Sequence, residues 1–549
     1  MKKLLISSII VLLFSNISLV ANELEYQDDS SIVISNSLKA QPKHRFLKKL
    51  YKDVLFMPIW TREHDISKSA KELFEYISKD MTLNHNGKLY NDAKTLHDRA
   101  DAIYSSDGTL ADKVSLEFKI SQLYQGYMNY LYFGSINWGA FKARISNLMI
   151  DDVHTDWILH RPKVNPISIA ESTLFGKSLK KQLDTHTPTA YHYKELQKEL
   201  KRYIDIKNHG GWSRVEFSQG KLKPHQKDSG VVSLRDRLRV TGDYRAKDVA
   251  DELIYDDDLV SAVKRFQLRH GLVADGIIGS GTLRVLNQSV DDIITKIRLN
   301  LDRIKWLEKR AGRYHIVINI PDFMLNFEDN GKPIETMRVI TGKPNHPTPI
   351  FGDDVELIVL NPYWNVPTSI IQKEMIPKLL RNPNAMKSKG IEIRSGWGKN
   401  AKLVNPASVD WSAYRYSKRV PYRFAQVPGY KNALGKIKFL FPNRFSVYMH
   451  DTPTKSLFNR HKRAFSHGCV RLQKPRDLLK TFASIDKRID LEKSFEILKG
   501  KTNRTLRLSK KVPVDIVYLT AFVDYNGKLQ FREDVYGYDK MQLKSFREW

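Results

Sequence analysis

The sequence predicts a multidomain α+β protein: a helical N-terminal scaffold, a small three-helix module, and a β-rich C-terminal domain with a lid-like insertion. Three observations lead to this prediction. The chain has 549 residues, and one hydrophobic core rarely serves more than about 250–300 residues. Apolar residues recur at helical spacing in the first part of the chain. From Tyr314 onward they form short β-branched runs separated by Gly, Pro and Asn.

Residues 1–21 have the three-part layout of a secretory signal peptide. Lys2 and Lys3 precede an apolar run over 4–14, and Ala21 ends a short polar stretch. We therefore expect export to the periplasm or cell envelope. An uncleaved inner-membrane anchor is the alternative, because the apolar stretch is barely long enough to span a bilayer core.

The formal net charge of +29 favours anionic partners. For an exported protein these are anionic lipid head groups and the carboxylates of a cell wall, and no nucleic-acid partner is expected. A generally lysine-rich proteome, in which the charge has no function, is the alternative.

Residues 22–212 are predicted to form the helical scaffold domain. Two apolar stripes at helical spacing support this, namely Ala70, Leu73, Phe74 and Ile77, and Leu116, Ile120, Leu123, Tyr124, Tyr127 and Leu131. Such periodicity is the ordinary signature of a buried helix face. We therefore interpret both stripes as core rather than as ligand-binding surfaces. The polar stretch 177–193 is predicted to be a loop between helices.

Residues 231–287 are predicted to form a compact unit of three helices. Gly271 lies where a left-handed helix cap is usual, and Asp275-Gly276 marks a tight turn. The positions that carry the pattern are Leu234, Leu238, Ala262, Val263, Phe266, Gln267, His270, Gly271, Leu272, Asp275, Gly276, Gly279 and Thr282. This pattern resembles the small three-helix peptidoglycan-binding module. A helical spacer that keeps the fold and binds nothing is the alternative.

Residues 312–549 are predicted to form a β-rich domain. Strands are expected at 315–320, 323–327, 336–340, 355–360, 444–449, 512–522 and 529–531. Asn330-Gly331 and Asn526-Gly527 are hairpin turn signals. An insertion at about 370–420 begins with helical spacing and then becomes polar around Trp397. We interpret it as a mobile lid near a site, with a plain surface insertion as the alternative.

The chain has one cysteine, Cys469, which cannot form an internal disulfide. A lone cysteine is often a buried small hydrophobe, but His467, Gly468 and Arg471 surround this one, and His450 lies upstream. An imidazole can take a thiol proton and return it to a leaving amine. The turn at Gly468 can present backbone N–H groups to an oxyanion, and Arg471 can favour the thiolate or hold a carboxylate. These residues predict an acyl-transfer site with a thiol nucleophile.

His450 followed by Ser466-His467-Gly468-Cys469-Val470-Arg471 resembles the signature of the L,D-transpeptidases with a YkuD-type catalytic domain, and most closely the large YcbB-like subgroup. The similarity extends through three further segments: Asn361-Pro362-Tyr363-Trp364-Asn365-Val366-Pro367, Pro428-Gly429 to Asn432-Ala433-Leu434-Gly435, and Phe441-Pro442-Asn443. It also covers the N-terminal helical region and the peptidoglycan-binding module, so it spans nearly the whole mature chain.

The resemblance implies that Cys469 attacks the third residue of a tetrapeptide stem, that D-alanine leaves, and that the thioester passes to an amine of a neighbouring stem as a 3→3 crosslink. His450 would be the general base, and His467 and Gly468 would shape the turn and the oxyanion site. The expected substrate-binding residues are Arg471, Tyr448, Ser466, Trp364 and Trp397. The family implies no metal or organic cofactor. Its partners are peptidoglycan stem peptides and glycan strands, and other envelope enzymes that supply tetrapeptide donors. Acylation of Cys469 by carbapenems is also implied.

Three other functions stay open at this point. A zinc peptidase would use His450, Asp451 and His467, since zinc accepts such ligands, although the sequence has no tight ligand pair around them. A non-catalytic wall-binding scaffold would need no thiol chemistry. An L,D-carboxypeptidase of the same family would resolve the thioester with water.

Overall fold

The computed structural model describes residues 23, 25–39, 44–147, 156–160, 164–246, 249–308, 312–398, 400–417 and 419–546. The predicted signal peptide at 1–21 lies outside these residues. Among those described, no helix is both long and apolar enough to cross a membrane. The predicted multidomain α+β class is confirmed, because helices build the N-terminal half and the strands begin at Tyr314.

The N-terminal region is a stack of helices. Residues 25–39 form α1. The helices that follow are α2 Arg45–Asp53, α3 Lys68–Lys79, α4 Lys88–Ser105, α5 Leu110–Phe133, α6 Trp138–Ser146, α7 Pro166–Leu174, α8 Leu179–Thr185 and α9 Tyr193–Asn208. Both predicted apolar stripes, on α3 and α5, are buried in one shared core, which confirms their interpretation as core.

The prediction of a loop over 177–193 is wrong, because this stretch contains helix α8. Ser178 caps the helix by accepting a hydrogen bond from the backbone N–H of Lys181. Leu179 and Leu183, one helical turn apart, are fully buried in the N-terminal core. Two leucines are too few to reveal a helical period in the sequence. The helix forms because these leucines pack into the N-terminal core.

The predicted three-helix unit is present as α10 Gly230–Val240, α11 Asp257–Arg269 and α12 Ser280–Leu286. Its apolar side chains form a separate core. Gly271, directly after the α11 cap residue, has a φ of 62°. This left-handed conformation is the cap that the sequence predicts, and glycine adopts it without steric cost. Helix α13, Val290–Lys305, leads from this unit into the C-terminal region.

The C-terminal region is built around a nine-stranded sheet in the order β10-β3-β11-β9-β8-β4-β12-β1-β2. Because β2 pairs with both β1 and β3, the sheet closes into a barrel with β10 attached to β3. Its strands are β1 Tyr314–Asn319, β2 Met324–Asp329, β3 Lys332–Gly342, β4 Phe351–Leu360, β8 Ile437–Leu440, β9 Met449–His450, β10 Ala464–Ser466, β11 Val470–Leu472 and β12 Arg504–Val517. Helices α16 Pro475–Ile485 and α17 Leu491–Lys499 pack against it.

The prediction of a strand over 444–449 is wrong for most of its length, because only β9, Met449–His450, is a strand. The Asn443 side chain donates to the carbonyls of Phe441 and Val447 and accepts from the N–H groups of Phe445 and Val447. These four bonds fold the segment into a turn. A local side chain therefore takes the backbone partners that a longer strand would need.

The predicted insertion is a small subdomain with its own core and its own sheet. The sheet is β5 Trp364–Asn365, β7 Arg423–Gln426 and β6 Ile391–Arg394. The helical elements are α14 Thr368–Ile370, a π-helical turn Ile371–Met375, α15 Ile376–Leu379, and 3-10 turns at Pro383–Lys389, Pro406–Ser408 and Trp411–Tyr414. It leaves the barrel after β4 and returns before β8, and these two strands pair with each other.

Residues 521–543 tie the helical regions to the barrel. Strands β13 Ala521–Val523 and β14 Leu529–Phe531 form the hairpin that Asn526-Gly527 predicts, and the hairpin packs against α9 and α13. Phe531 stacks on His270 of the three-helix unit at 4.8 Å between ring centroids. Arg303 of α13, fully buried, pairs with Asp539 of α18 Tyr538–Leu543 at 2.7 Å.

His315 on β1 forms a buried charge cluster that makes stability depend on pH. Its Nε2 lies 2.9 Å from the Asp515 carboxylate and its Nδ1 lies 3.8 Å from Glu328. Burial by itself lowers the pKa of His315, but the bonds to the two carboxylates outweigh it and raise the pKa from 6.5 to about 9. Protonated His315 therefore stabilises the folded state below pH 6.5, and this contribution is lost as the pH rises through 9.

We expect the apparent free energy of unfolding to fall by about 3 kcal/mol over this pH range because of His315. Urea unfolding of the wild-type protein and of His315→Gln, measured at several pH values, checks this. The variant should be less stable than the wild type at the acid end and should differ little at the alkaline end. A difference that does not change with pH would contradict the role of His315.

Candidate active site

Three neighbouring strands bring the predicted site residues to one face of the barrel. His450 on β9 is paired with Arg471 on β11 in a parallel ladder, and with Lys438 on β8 in an antiparallel one. Paired residues of adjacent strands share a face, and alternate residues share it along each strand. Their neighbours Phe439, Met449, Val470 and Leu472 are buried in the barrel core. Lys438, His450 and Arg471 therefore point outward.

Cys469 and Tyr448 form the next row of the same face. The N–H of Val470 bonds to the carbonyl of Tyr448 at 3.1 Å, which places Cys469 beside Tyr448. The thiol is partly exposed, and its Sγ lies 3.9 Å from the carbonyl oxygen of Ser446. The structure thus brings Cys469, His450, Tyr448 and Arg471 together, as the sequence predicts for a thiol site.

His450 is held in one tautomer. Its ring is 5% exposed, and its Nδ1 lies 2.5 Å from the carbonyl oxygen of Asp451. A carbonyl only accepts hydrogen bonds, so Nδ1 carries the hydrogen and donates it. In the neutral ring, Nε2 then keeps the free lone pair, and a base needs such a lone pair.

The resting thiol and imidazole are both neutral. Burial, helped by the charges of Arg471, Lys438 and Lys455, lowers the pKa of His450 to about 3. Burial raises the pKa of Cys469, although contact with Tyr448 and the positive charges of Lys438 and Arg471 partly offset it. A preformed thiolate–imidazolium pair is therefore unfavourable in the unliganded protein, and the proton must move as substrate reacts.

Hydrogen bonds within the turn before Cys469 involve both Ser466 and Gly468. Ser466 is 2% exposed, accepts from the N–H of Gly468 at 3.1 Å and donates to the carbonyl of Cys469 at 2.6 Å. Its hydroxyl is thus bonded within the turn, and the role of Ser466 in substrate binding stays a prediction. The Gly468 N–H is also occupied, so it does not serve as an oxyanion donor in this structure. With a φ of 111°, Gly468 instead gives the turn a backbone conformation that other residues rarely adopt.

Two cations face the site without acidic partners among the described residues. Arg471 has a buried Nε with no hydrogen-bond partner there. Lys438 places its Nζ 3.7 Å from the centre of the Tyr448 ring, and burial lowers the pKa of Lys438. Lys438 was missed by sequence reasoning. The signal for it is a lysine inside the apolar run Ile437-Lys438-Phe439-Leu440, but only the strand pairing shows which residues it faces.

His467 points toward the insertion rather than into the turn. Its Nε2 lies 3.1 Å from the carboxylate of Glu374 on the π-helical turn, and its ring lies 5.0 Å from that of His346. Burial lowers the pKa of His467, so the contact joins a neutral imidazole to a carboxylate. Glu374 and His346 have no motif of their own in the sequence.

The two predicted tryptophans both belong to the insertion. Trp364 is half-buried against the core of the insertion. Trp397 is 65% exposed, with the Arg423 guanidinium 5.7 Å from its ring centre. Neither has a contact that joins it to Cys469 in the described part of the chain.

The motifs around 361 and 432 hold the base of the insertion beside His450. Asn432, almost fully buried, donates to the carbonyls of Pro362, Gln426 and Val427. Asp451 packs so closely on Gly435 that a Cβ there would lie 2.4 Å from its carboxylate. The Asp451 carboxylate is also bonded to the N–H of Lys436 and to Lys455. These contacts fix the residue whose carbonyl orients His450.

The described residues contain no set of side chains that fits the zinc peptidase alternative. No three His, Cys, Asp or Glu side chains converge there in a way that could hold a metal ion. Asp451 is bound to backbone and to Lys455, and His450 uses Nδ1 for a carbonyl.

The neutral resting pair predicts how the thiol reacts without substrate. Because the pKa of Cys469 is raised, the thiolate fraction should grow about tenfold per pH unit from pH 6 to 9. The rate of alkylation by iodoacetamide should grow in the same way. Mass spectrometry of the intact protein reports this residue alone, since the chain has one cysteine.

The urea-unfolded protein is the control, and its rate should level off nearer the ordinary thiol pKa. A plateau of high reactivity between pH 4 and 8 in the folded protein would indicate a preformed ion pair and contradict the prediction.

The sequence of this chain is similar to that of a known protein. The chain is 32% identical over 251 residues to a Haemophilus influenzae protein named as a candidate L,D-transpeptidase, which covers 45% of this chain and 49% of that protein. The chain thus spans about half the length of this curated relative.

Two crystal structures are also similar to this chain. An L,D-transpeptidase from Stackebrandtia nassauensis is 17% identical, with 54% of this chain and 94% of that chain covered and a TM-score of 0.21. An L,D-transpeptidase fragment from Xylanimonas cellulosilytica is 13% identical, with 55% and 97% covered and a TM-score of 0.17. These low TM-scores give no basis for an inference about this chain.

Three family models match separate parts of the chain. Residues 45–200 match a scaffold domain, and residues 227–286 match a candidate peptidoglycan-binding domain. Residues 313–513 match the L,D-transpeptidase catalytic domain, and this range contains every residue of the face described above. The chain therefore contains a catalytic domain of the YkuD-type L,D-transpeptidase family, joined to a peptidoglycan-binding domain and a helical scaffold domain.

Proposed function

We propose that the protein is a peptidoglycan L,D-transpeptidase that forms 3→3 crosslinks through a thioester on Cys469. The observation that carries the proposal is the shared outer face of Cys469, Tyr448, His450 and Arg471, with a neutral His450 whose Nε2 is free to accept a proton. A thiol and a base so placed support acyl transfer.

In the first half-reaction, the Cys469 proton passes to Nε2 of His450 as Sγ attacks the carbonyl carbon of the third stem residue. The carbon–sulfur bond forms, and the carbon–nitrogen bond to the terminal D-alanine breaks. The His450 proton moves to the leaving nitrogen, so D-alanine departs as an amine. A thioester remains on Cys469 and His450 is neutral again.

In the second half-reaction, an amine of a neighbouring stem attacks the thioester carbonyl and gives a proton to His450. The new amide bond forms, the carbon–sulfur bond breaks, and the proton returns to the thiolate. Water in place of the amine would make the protein an L,D-carboxypeptidase, whose first half-reaction is identical. No feature of the face favours one acceptor over the other.

The negative oxygen that develops in both steps needs hydrogen-bond donors. The N–H of Cys469 has no acceptor within the described chain, whereas the N–H of Gly468 is taken by Ser466. We therefore assign the Cys469 N–H as one donor. The Tyr448 hydroxyl, beside the thiol, is the side-chain candidate for a second.

The insertion is proposed to act as a lid, with the bond between Glu374 and His467 as its contact with the catalytic turn. A π-helical turn such as Ile371–Met375 is rare and is found often at functional sites. The peptidoglycan-binding domain is proposed to bring the enzyme to glycan strands in the cell envelope. Other envelope enzymes would supply the tetrapeptide donors. The alternative that is not an enzyme is a wall-binding scaffold protein.

The proposal is tested by incubating the full-length protein with disaccharide-tetrapeptide and following the products by mass spectrometry. We expect loss of D-alanine and a crosslinked dimer with the wild type, and neither with Cys469→Ala. His450→Gln should lower the rate about 10²- to 10⁴-fold, and His209→Gln, at an exposed helix end, is the matched control.

A cysteine-dependent tripeptide without dimer would indicate the carboxypeptidase. The scaffold alternative would be favoured if neither the wild type nor Cys469→Ala converted the disaccharide-tetrapeptide while both still bound the cell wall.

Carbapenem acylation provides an independent check on the nucleophile. The family resemblance implies that a carbapenem opens on Cys469, so the intact mass of the wild type should rise by one drug molecule. Cys469→Ala should show no adduct, and prior treatment with a chelator should not change the result. An adduct on the variant would place the acylation elsewhere.

A further inference from the structure

Lys438 and Arg471 are two cations on the active face, and no acidic side chain in the described part of the chain neutralises them. Each is directly paired with His450, on strands to either side of it. Among the described residues neither has an acidic side chain within ion-pair distance. Lys455, the other cation near His450, is instead bound to Asp451 at 2.6 Å. A charge in partial burial is unfavourable without a partner, so this pair of cations lacks an anion that the substrate would supply.

Both cations lie near the thiol, and His450 lies between them in the strand order. Arg471 lies two residues after Cys469 on the same side of β11. Lys438 reaches across Tyr448, with Nζ 3.7 Å from the ring centre, and its charge acts on Cys469. An anion held by both cations would lie on the same face as Cys469, beside His450.

The acyl donor of the proposed function, on which this inference rests, ends in a carboxylate on the residue that leaves. That carboxylate is separated from the scissile nitrogen by a single carbon. We propose that Lys438 and Arg471 form a carboxylate-binding subsite that holds the terminal carboxylate of the acyl donor during attack by Cys469. An arginine binds a carboxylate with two parallel bonds, and a lysine adds a point charge.

The subsite has a chemical consequence for the base. In the unliganded protein burial disfavours a proton on His450, the positive charges of Arg471, Lys438 and Lys455 add to this effect, and the carbonyl of Asp451 opposes it. A bound carboxylate offsets the charges of Arg471 and Lys438, so it favours a proton on His450. It also removes part of the positive field that lowers the pKa of Cys469, so the two effects on proton transfer from the thiol to the imidazole oppose each other.

The test compares two donors that differ only in this group, a disaccharide-tetrapeptide and the same molecule with a terminal carboxamide. The readout is kcat/KM for release of D-alanine or D-alaninamide by the full-length protein. We expect the wild type to prefer the carboxylate donor by about 10- to 100-fold, the range for a hydrogen bond to a charged group. This comparison needs no variant, so it does not depend on how a substitution affects folding.

Variants of Lys438 then show whether this side chain provides the preference. Lys438→Met should lose about tenfold or more with the carboxylate donor and change little with the carboxamide, so that the preference shrinks. Lys438→Arg should keep most of it. Lys431→Met is the matched control, because Lys431 also lies over a tyrosine, Tyr430, but on the exposed surface of the insertion.

Two results would overturn the inference. The first is a wild type that uses both donors equally. The second is a Lys438→Met variant that loses the same factor with both donors, which would make Lys438 a support for the thiol or the fold. Absence of any D-alanine release from the carboxylate donor would instead contradict the proposed function itself.

Discussion

The parallel pairing of Met449–His450 with Val470–Leu472 is the constraint on which the candidate active site depends. These strands have only two and three residues. A slip of one position would send Arg471 and Cys469 toward the barrel core and bring Val470 to the surface. Such short strands hold their register because β3 and β8 pair with them on either side. The closed barrel, the Asn443 turn and the fit of Asp451 against Gly435 therefore all serve one alignment.

The electrostatics of the face follow from this alignment. Strand pairing puts Lys438, His450 and Arg471 in one row. Burial, helped by the two cations, keeps the imidazole neutral. The same cations partly offset the burial that raises the pKa of Cys469. The protein thus stores no ion pair before substrate arrives. It presents a neutral base, a neutral thiol and two cations without an acidic partner among the described residues, and the proposed carboxylate subsite depends on these two cations.

Local sequence patterns predicted much of the fold. The helical stripes of α3 and α5, the three-helix unit, and both Asn-Gly hairpins are confirmed because each depends on neighbours within a few residues. The predictions of a loop over 177–193 and of a strand over 444–449 were wrong. Tertiary packing determines helix α8, and the hydrogen bonds of the Asn443 side chain determine the turn.

In the candidate site, too, local motifs could be predicted from the sequence and tertiary contacts could not. The motif around Cys469 and the upstream His450 could be found in the sequence, and the structure places them on one face. Lys438 and Glu374 could not, since their relevance comes from strand register and from a contact between the insertion and the turn. Nor could the bonds of Ser466 within the turn, because a motif shows which residues occur together but not which of them are bonded to each other.

The topology of the barrel also bears on the order in which its parts fold. Strand β12 closes the barrel by pairing with β1, a partner about 200 positions earlier, and such distant pairings form late. The N-terminal helices depend on nearer neighbours and can fold first. The strands that align Cys469 with His450 lie within the interval that β12 closes. The register that aligns Cys469 with His450 is therefore complete only once β12 has joined the barrel.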